Sequence, residues 1–137
     1  MKKRSLFKFR AWHKPKKIML DAIAINFSLM QITADIETRK IYPELDYWWK
    51  ETDIPFSEIE LMQSTGLKDK NGVEIFEGDI VEGYSVYPET SIFEPFLIGE
   101  VYYTNRGTWD CYSYILGGFN EQVEVIGNIY EDSNLVK

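Results

Sequence analysis

Histidine and cysteine occur only once each in this sequence of 137 residues, as His13 and Cys111. A single cysteine cannot form an intrachain disulfide, and no zinc site built from several cysteines is possible. Asp110 and Tyr112 flank Cys111, so no neighbouring cation favours its thiolate form. We therefore expect a packed, unreactive thiol in a protein of a reducing, intracellular environment.

Long apolar runs are also missing. The longest stretch without a charge, residues 22–34, has 13 residues and is interrupted by polar side chains. A membrane-spanning helix needs about 20 predominantly apolar residues. At the basic start of the chain, Lys8 and Arg10 interrupt the apolar region that a signal peptide requires. The sequence predicts neither a membrane segment nor secretion, and we expect the protein in the cytoplasm.

The motifs of several enzyme classes are absent as well. The sequence contains neither a Gly-x-x-x-x-Gly-Lys-Ser/Thr phosphate loop nor a Gly-x-Ser-x-Gly nucleophile motif. The single histidine begins a basic segment, His13–Lys17, in which three lysines would repel a protonated ring. We expect no enzymatic activity, no metal site and no cofactor.

Basic and acidic residues are distributed unevenly along the chain. Residues 1–17 carry eight cations and no acid, whereas the rest of the chain has a net charge of −15. We call the eight cations the basic head: Lys2, Lys3, Arg4, Lys8, Arg10, Lys14, Lys16 and Lys17. Two interpretations are open, namely binding of an anionic partner such as nucleic acid, or docking on the acidic body of the same chain or a neighbour. We favour docking, because nucleic-acid-binding modules are usually basic overall.

Hydrophobic patterning predicts a hairpin and a short helix in the first part of the chain. Alternating apolar residues indicate strands over 5–12 and 18–27, joined by a turn at 13–17. Residues 29–36 fit either a strand or a short helix. A helix is predicted over 43–50, because a proline and two acids begin this segment and a lysine ends it.

Beyond residue 53 the signals are mostly those of β-structure. Short apolar runs alternate with turns between residues 59 and 130, a pattern typical of a small barrel or sandwich. The sequence therefore predicts an α+β fold in which β-structure dominates, with a strand-hairpin and short-helix subdomain over residues 1–53 and a β-rich domain over residues 54–137.

Three segments resemble the YopX family: Lys8–Trp12, Glu60–Val81 and Val125–Glu131. They stand at the start, middle and end, so the resemblance covers nearly the whole chain. It implies a protein encoded by a phage or prophage, an SH3-like β-barrel over residues 54–137, and no assigned activity or catalytic residue to carry over. The chain departs from the family pattern where His13 follows Trp12, since an acid often stands there.

Together these observations favour a non-enzymatic accessory protein of a phage, acting in the host cytoplasm by protein binding and self-assembly. The partner would be a host or phage protein. Two alternatives stay open. The basic head and exposed aromatic residues could bind nucleic acid weakly, or the acidic body could mimic DNA and inhibit a host protein.

The aromatic residues of the first subdomain are the predicted interface: Tyr42, Tyr47, Trp48 and Trp49. A subdomain of about 50 residues has too small a core to cover them all. On a helix, two consecutive tryptophans would lie about 100° apart, so both could not point inward. We expect an exposed apolar patch and a closed, symmetric homo-oligomer whose interface lies largely within residues 1–53.

Overall fold

The structure is a computed structural model, and it describes residues 8–45, 48–84, 96–111 and 114–135. Four predicted site residues lie outside these ranges, namely Lys2, Lys3, Arg4 and Tyr47. The chain forms two compact units, which divide between Gln63 and Ser64. The sequence places the boundary after residue 53, whereas the strands that follow that point pair within the first unit.

Antiparallel strands form the first unit. They are β1 (Phe9–His13), β2 (Ile18–Asn26), β3 (Gln31–Ala34), β4 (Thr52–Pro55) and β5 (Ile59–Lys68), of which the last continues past Gln63 into the second unit. In the sheet they stand in the order β4-β3-β2-β1-β5. One α-helix, α1 (Thr38–Ile41), and 3-10 turns at Pro43–Leu45 and Phe56–Glu58 complete the unit.

The predicted hairpin is confirmed. His13 pairs with Ile18, so the turn between β1 and β2 consists of residues 14–17 and closes with a hydrogen bond from the Lys17 N–H to the His13 carbonyl, 2.8 Å. Residues 29–36, which by sequence fit either a strand or a short helix, contain strand β3. It pairs with β2 on one side and with β4 on the other, and its alternate residues are buried, as expected for a strand with one face on the core.

The helix predicted over residues 43–50 is wrong. The α-helix lies earlier in the chain and ends at Ile41, and Pro43 begins a separate 3-10 turn. Tyr42 has φ −126° and ψ 73°, since a residue before proline is disfavoured in the helical region. The Thr38 N–H donates to the Trp49 carbonyl, 2.9 Å, so the chain around Trp49 returns beside the start of α1.

The core of the first unit lies on one face of its sheet. Cross-strand neighbours such as Ala11 and Leu20, or Ile32 and Ile54, are buried together because their side chains leave the sheet on the same side. Ile41 of α1 packs on this face and is 2% exposed. The helix therefore holds the segment that follows it close to the sheet.

The second unit contains a further sheet. The strands of this unit are β6 (Glu74–Phe76), β7 (Asp79–Tyr84), β8 (Phe96–Tyr103), β9 (Trp109–Cys111), β10 (Tyr114–Ile115) and β11 (Val123–Asn128). Five of them stand in the order β10-β9-β8-β7-β11, and β6 pairs with the later residues of β5. Short 3-10 turns occur at Leu116–Gly118, Asn120–Gln122 and Ser133–Leu135.

The prediction of a mostly β fold is confirmed, with α1 as the one α-helix of the described residues. Among the strand pairs that the structure describes, none closes the second sheet into a barrel, and β10 and β11 are its edges. The SH3-like arrangement stays a prediction. The buried core of this unit comprises Ile75, Val81, Val101, Cys111, Leu116, Phe119 and Val123.

Asp69 connects a turn to the last strand of the second unit. One carboxylate oxygen accepts the N–H groups of Asn71 and Val73, at 2.8 and 2.9 Å. The other oxygen accepts the Val125 N–H of β11, also at 2.9 Å. Burial alone would raise the pKa of Asp69, but the three backbone hydrogen bonds outweigh burial and lower the pKa below its ordinary value. The carboxylate is therefore a structural anchor in its ionised form.

We predict that Asp69→Asn lowers the free energy of unfolding by roughly 2 kcal/mol or more, because an amide nitrogen would face a backbone donor. The lowered pKa means that the ionised group stabilises the fold above the unfolded pKa of about 3.9, and that this stability is lost as the pH falls through the lower, folded pKa. Urea denaturation at neutral and acid pH measures both effects. The exposed Asp35→Asn is the matched control, and an equal loss in both variants would contradict the prediction.

Candidate functional site

A groove of about 570 Å³ lies in the first unit, between the segment around α1 and strand β4. Its lining comprises three aromatic or apolar residues, Tyr42, Leu45 and Trp49; three threonines, Thr33, Thr38 and Thr52; and three charged residues, Lys50, Glu51 and Asp53. Two of the four predicted interface residues, Tyr42 and Trp49, therefore share one surface.

The threonine hydroxyls of the groove already donate to the chain itself. Thr38 Oγ1 donates to the Glu51 carbonyl at 3.1 Å, and Thr52 Oγ1 donates to the Ile36 carbonyl at 2.7 Å. The third hydroxyl, of Thr33, donates to a carboxylate oxygen of Asp53 at 2.7 Å. Because these donors are engaged, they are not available to an occupant, which would meet the apolar and aromatic side chains of Tyr42, Leu45 and Trp49 and the charged groups of the lining.

Tyr42 is held in place by a carboxylate that it shares with the histidine. Its hydroxyl donates to Glu58 Oε1 at 2.9 Å, and His13 Nε2 lies 2.8 Å from the same oxygen. The Lys16 N–H donates to His13 Nδ1 at 3.2 Å. Since Nδ1 accepts a hydrogen bond, the ring proton is assigned to Nε2, which donates to Glu58.

The sequence analysis places His13 in the basic turn, and the structure corrects this prediction. The residue ends strand β1 and is buried, and the basic turn begins only at Lys14. The pKa of Tyr42 is raised above its ordinary value by burial, then by its hydrogen bond to Glu58 and by the charges of Glu58 and Glu44. Tyr42 therefore stays a neutral hydrogen-bond donor at physiological pH.

Trp48 and Trp49 are 73% and 64% exposed. The guanidinium group of Arg39 lies 4.0 Å from the ring centre of Trp48, a cation–π contact that fixes this side chain beside α1. Trp49 faces the groove. The two tryptophans thus extend the apolar wall of the groove onto the neighbouring surface.

The basic head divides into a strand part and a turn part. Lys8 is exposed just before β1, and Arg10 is half-buried within β1. Lys14 Nζ lies 3.9 Å from Glu60 Oε1. The structure brings three exposed cations together in the β1–β2 turn: Lys14, Lys16 and Lys17.

Sequence reasoning missed a second apolar surface, at the turn between β2 and β3. We call it the apolar tip, and it consists of Phe27, Leu29 and Met30, which are 74%, 65% and 62% exposed. Asn26 pairs with Gln31, so these side chains lie in a four-residue hairpin loop. The signal in the sequence is three large apolar residues within a loop, a place where polar residues prevail.

The apolar tip has a defined conformation. The Leu29 N–H donates to Asn26 Oδ1 at 2.9 Å, and the Phe56 N–H donates to the Met30 carbonyl at 2.8 Å. The Phe27 ring packs edge-to-face on Phe56, with ring centres 6.0 Å apart. Met30 has φ 54°, in the left-handed region that non-glycine residues adopt at a cost.

Cys111 is fully buried in the core of the second unit. Burial, together with the charges of Asp110 and Glu100, raises the pKa of its thiol to about 12. The expectation of a packed thiol is confirmed.

Among the described residues, no three histidine, cysteine or acidic side chains are grouped closely enough to hold a metal ion. No helix in the described ranges has the length and hydropathy to cross a membrane.

We predict that the Cys111 thiol reacts with a disulfide reagent such as DTNB about a thousandfold more slowly in the native protein than in denaturant, because few molecules carry a thiolate at neutral pH. The release of chromophore with time measures the rate. The Leu29→Cys variant, whose added thiol lies in the exposed hairpin loop, should contain one thiol that reacts fast with DTNB and one that reacts slowly. Equal native and denatured rates for the wild type would contradict the prediction.

We also predict that Tyr42→Phe lowers the free energy of unfolding by about 1–2 kcal/mol at neutral pH, because Glu58 loses a hydrogen-bond donor. The raised pKa means that Tyr42 stabilises the fold fully below the unfolded pKa of about 10, and that this stability is lost as the pH rises beyond it. Chemical denaturation at neutral and alkaline pH measures the difference. The exposed Tyr102→Phe serves as the control. If Tyr42→Phe loses no more free energy of unfolding than Tyr102→Phe does, the prediction is contradicted.

Comparison with known proteins agrees with the resemblance in the sequence. The YopX protein family model matches residues 8–137. A crystal structure of protein EF1440 from Enterococcus faecalis is similar to this chain, with 28% sequence identity and a TM-score of 0.57. The match covers 97% of this chain and 100% of the other. A search of curated proteins finds no match. With a match over nearly its whole length, the chain belongs to the YopX family.

Proposed function

We propose that this protein is a non-enzymatic accessory protein, encoded by a phage and active in the host cytoplasm, that works by protein binding and self-assembly. The proposed contact surface consists of the groove and the two tryptophans beside it. The observation that carries the proposal is the exposure of Trp48 and Trp49, 73% and 64%, next to a groove of about 570 Å³.

The energetics of exposed aromatic residues support a contact role. An aromatic side chain buries about 150–250 Å² when it is covered, and tryptophan and tyrosine are enriched among the residues that dominate binding energy. Arg39 and Glu58 hold Trp48 and Tyr42 in position before any partner arrives. Little side-chain entropy would then be lost on binding.

The protonation states and hydrogen bonds of the potentially reactive side chains support a binding function rather than catalysis. Tyr42 and Cys111 both have raised pKa values, so neither is an effective nucleophile at neutral pH. Both ring nitrogens of His13 are engaged, one by Glu58 and the other by a backbone N–H. A general base would need a free nitrogen within reach of a substrate.

The second unit has a supporting role in this proposal, as an SH3-like scaffold. The consecutive antiparallel pairs β7–β8 and β8–β9, with β11 beside β7, support that arrangement.

Weak binding of nucleic acid is a second candidate function. Three exposed cations share the β1–β2 turn, which favours contact with phosphates. Most of the chain is acidic, so we expect few phosphate contacts and a log affinity that falls against log salt by about 0.9 per contact. Tight binding of duplex DNA at physiological salt would instead make this the main function.

The proposed function predicts that Trp48→Ala/Trp49→Ala weakens self-association by about thirtyfold or more, since two residues of the kind that dominate interfaces are removed. Sedimentation equilibrium over a range of concentrations measures the association constant. Ile115→Ala removes an exposed apolar side chain from β10 and is the matched control. Circular dichroism checks that each variant is folded.

The expected result is a lower assembly state for the double variant and an unchanged one for the control. A wild-type protein that sediments as a monomer up to high micromolar concentration would refute self-assembly. Equal association of the double variant and the wild type would refute the assigned surface.

A further inference from the structure

The apolar tip has the properties of a preformed binding element. Its three side chains are all more than 60% exposed, although large apolar residues are uncommon in loops that face water. Hydrogen bonds from Leu29 to Asn26 and from Phe56 to Met30 fix the loop. A fixed loop loses little conformational entropy when it binds, so its apolar area is available for affinity.

The chemistry of the apolar tip matches that of the groove. The loop and its flanking residues, 26–31, carry no charge. The threonine donors of the groove are satisfied within the chain, and its apolar and aromatic walls are Tyr42, Leu45 and Trp49. The three charged lining residues, Lys50, Glu51 and Asp53, are exposed to solvent. An uncharged apolar loop brings no charge of its own into the groove.

The apolar tip cannot enter the groove of its own chain. Both features adjoin strand β3, but at opposite ends. The loop begins where Gln31 pairs with Asn26, whereas Ala34 at the far end pairs with Thr52, which lines the groove. Four extended residues separate the ends by about 10 Å, and the hairpin loop continues away from the groove. An apolar tip that enters this groove therefore belongs to another molecule.

We propose that the occupant is the apolar tip of a second copy of this chain, and that two copies exchange tips in a two-fold symmetric dimer. This inference rests on the proposed function, because it uses the same groove. Each copy then contributes one tip and one groove, and the two contacts are equivalent.

The area of contact favours two reciprocal contacts over one. Three tip side chains would bury roughly 60–120 Å² each, and the facing walls a similar amount, so one contact buries on the order of 500 Å². A stable interface needs about 1,000 Å². Two reciprocal contacts reach this value, whereas one does not.

Disulfide trapping tests the contact directly. The Leu29→Cys variant is mixed with the Lys50→Cys variant under mild oxidation, since Leu29 belongs to the tip and Lys50 lines the groove. The proposal predicts a covalent dimer in the mixture and much less in either variant alone, because a disulfide requires Cα atoms within about 7 Å. Cys111 is buried and does not compete.

The matched control mixes Leu29→Cys with Val73→Cys, an exposed position in the second unit. We expect little covalent dimer from this mixture. A yield equal to that of the Lys50→Cys mixture would show random collision and would overturn the proposal.

A second variant separates loss of contact from loss of folding. Met30→Gly removes one tip side chain, and glycine adopts the left-handed conformation of residue 30 without strain. We expect a dimer dissociation constant raised about tenfold or more, together with unchanged or higher stability in urea at protein concentrations at which both proteins are monomers.

The outcomes distinguish the two proposals. If Met30→Gly associates like the wild type while Trp48→Ala/Trp49→Ala does not, the apolar tip is not the occupant and the proposed function stands. If the wild type is a monomer, both proposals fail.

Discussion

Glu58 accepts hydrogen bonds from two side chains on one oxygen, and the groove of the first unit depends on that shared acceptor. His13 reaches it from the end of β1, and Tyr42 reaches it from the residue after α1. These two elements are far apart in the chain, so the carboxylate holds the segment after α1 against the sheet. Without that contact, the Tyr42 hydroxyl would lose its acceptor, and this wall of the groove would lose the contact that fixes it.

An equivalent anchor organises the second unit. Asp69 lies in the middle segment of the three that resemble the YopX family, and its acceptor bond to the Val125 N–H reaches the last of them. The two segments are therefore neighbours in space as well as recognisable in sequence. The anchoring group in each unit is a single carboxylate that joins residues distant in the chain. Such groups are costly to replace, because their partners are left buried without an acceptor.

Much of the fold follows from local patterns, whereas the site depends on contacts that no local pattern encodes. Alternation predicts the β1–β2 hairpin, because both strands pair with a neighbour in sequence. The helix expected over residues 43–50 fails because Pro43 ends one helical segment and the Thr38 bond to Trp49 redirects the chain. Exposure of the tryptophans could be anticipated from composition, but the contact of Glu58 with Tyr42 could not. The apolar tip was missed because periodicity alone does not distinguish the end of an apolar strand from an apolar loop.

His13 has a consequence that reaches beyond the groove. It is the one histidine in the chain, so the carbon-bound protons of its imidazole ring give a single, unambiguous set of signals in a proton NMR spectrum. Because the ring touches Glu58, and Glu58 touches Tyr42, those signals sense the position of the segment after α1. The molecule thus carries an intrinsic spectroscopic reporter, which follows the state of the groove without any label.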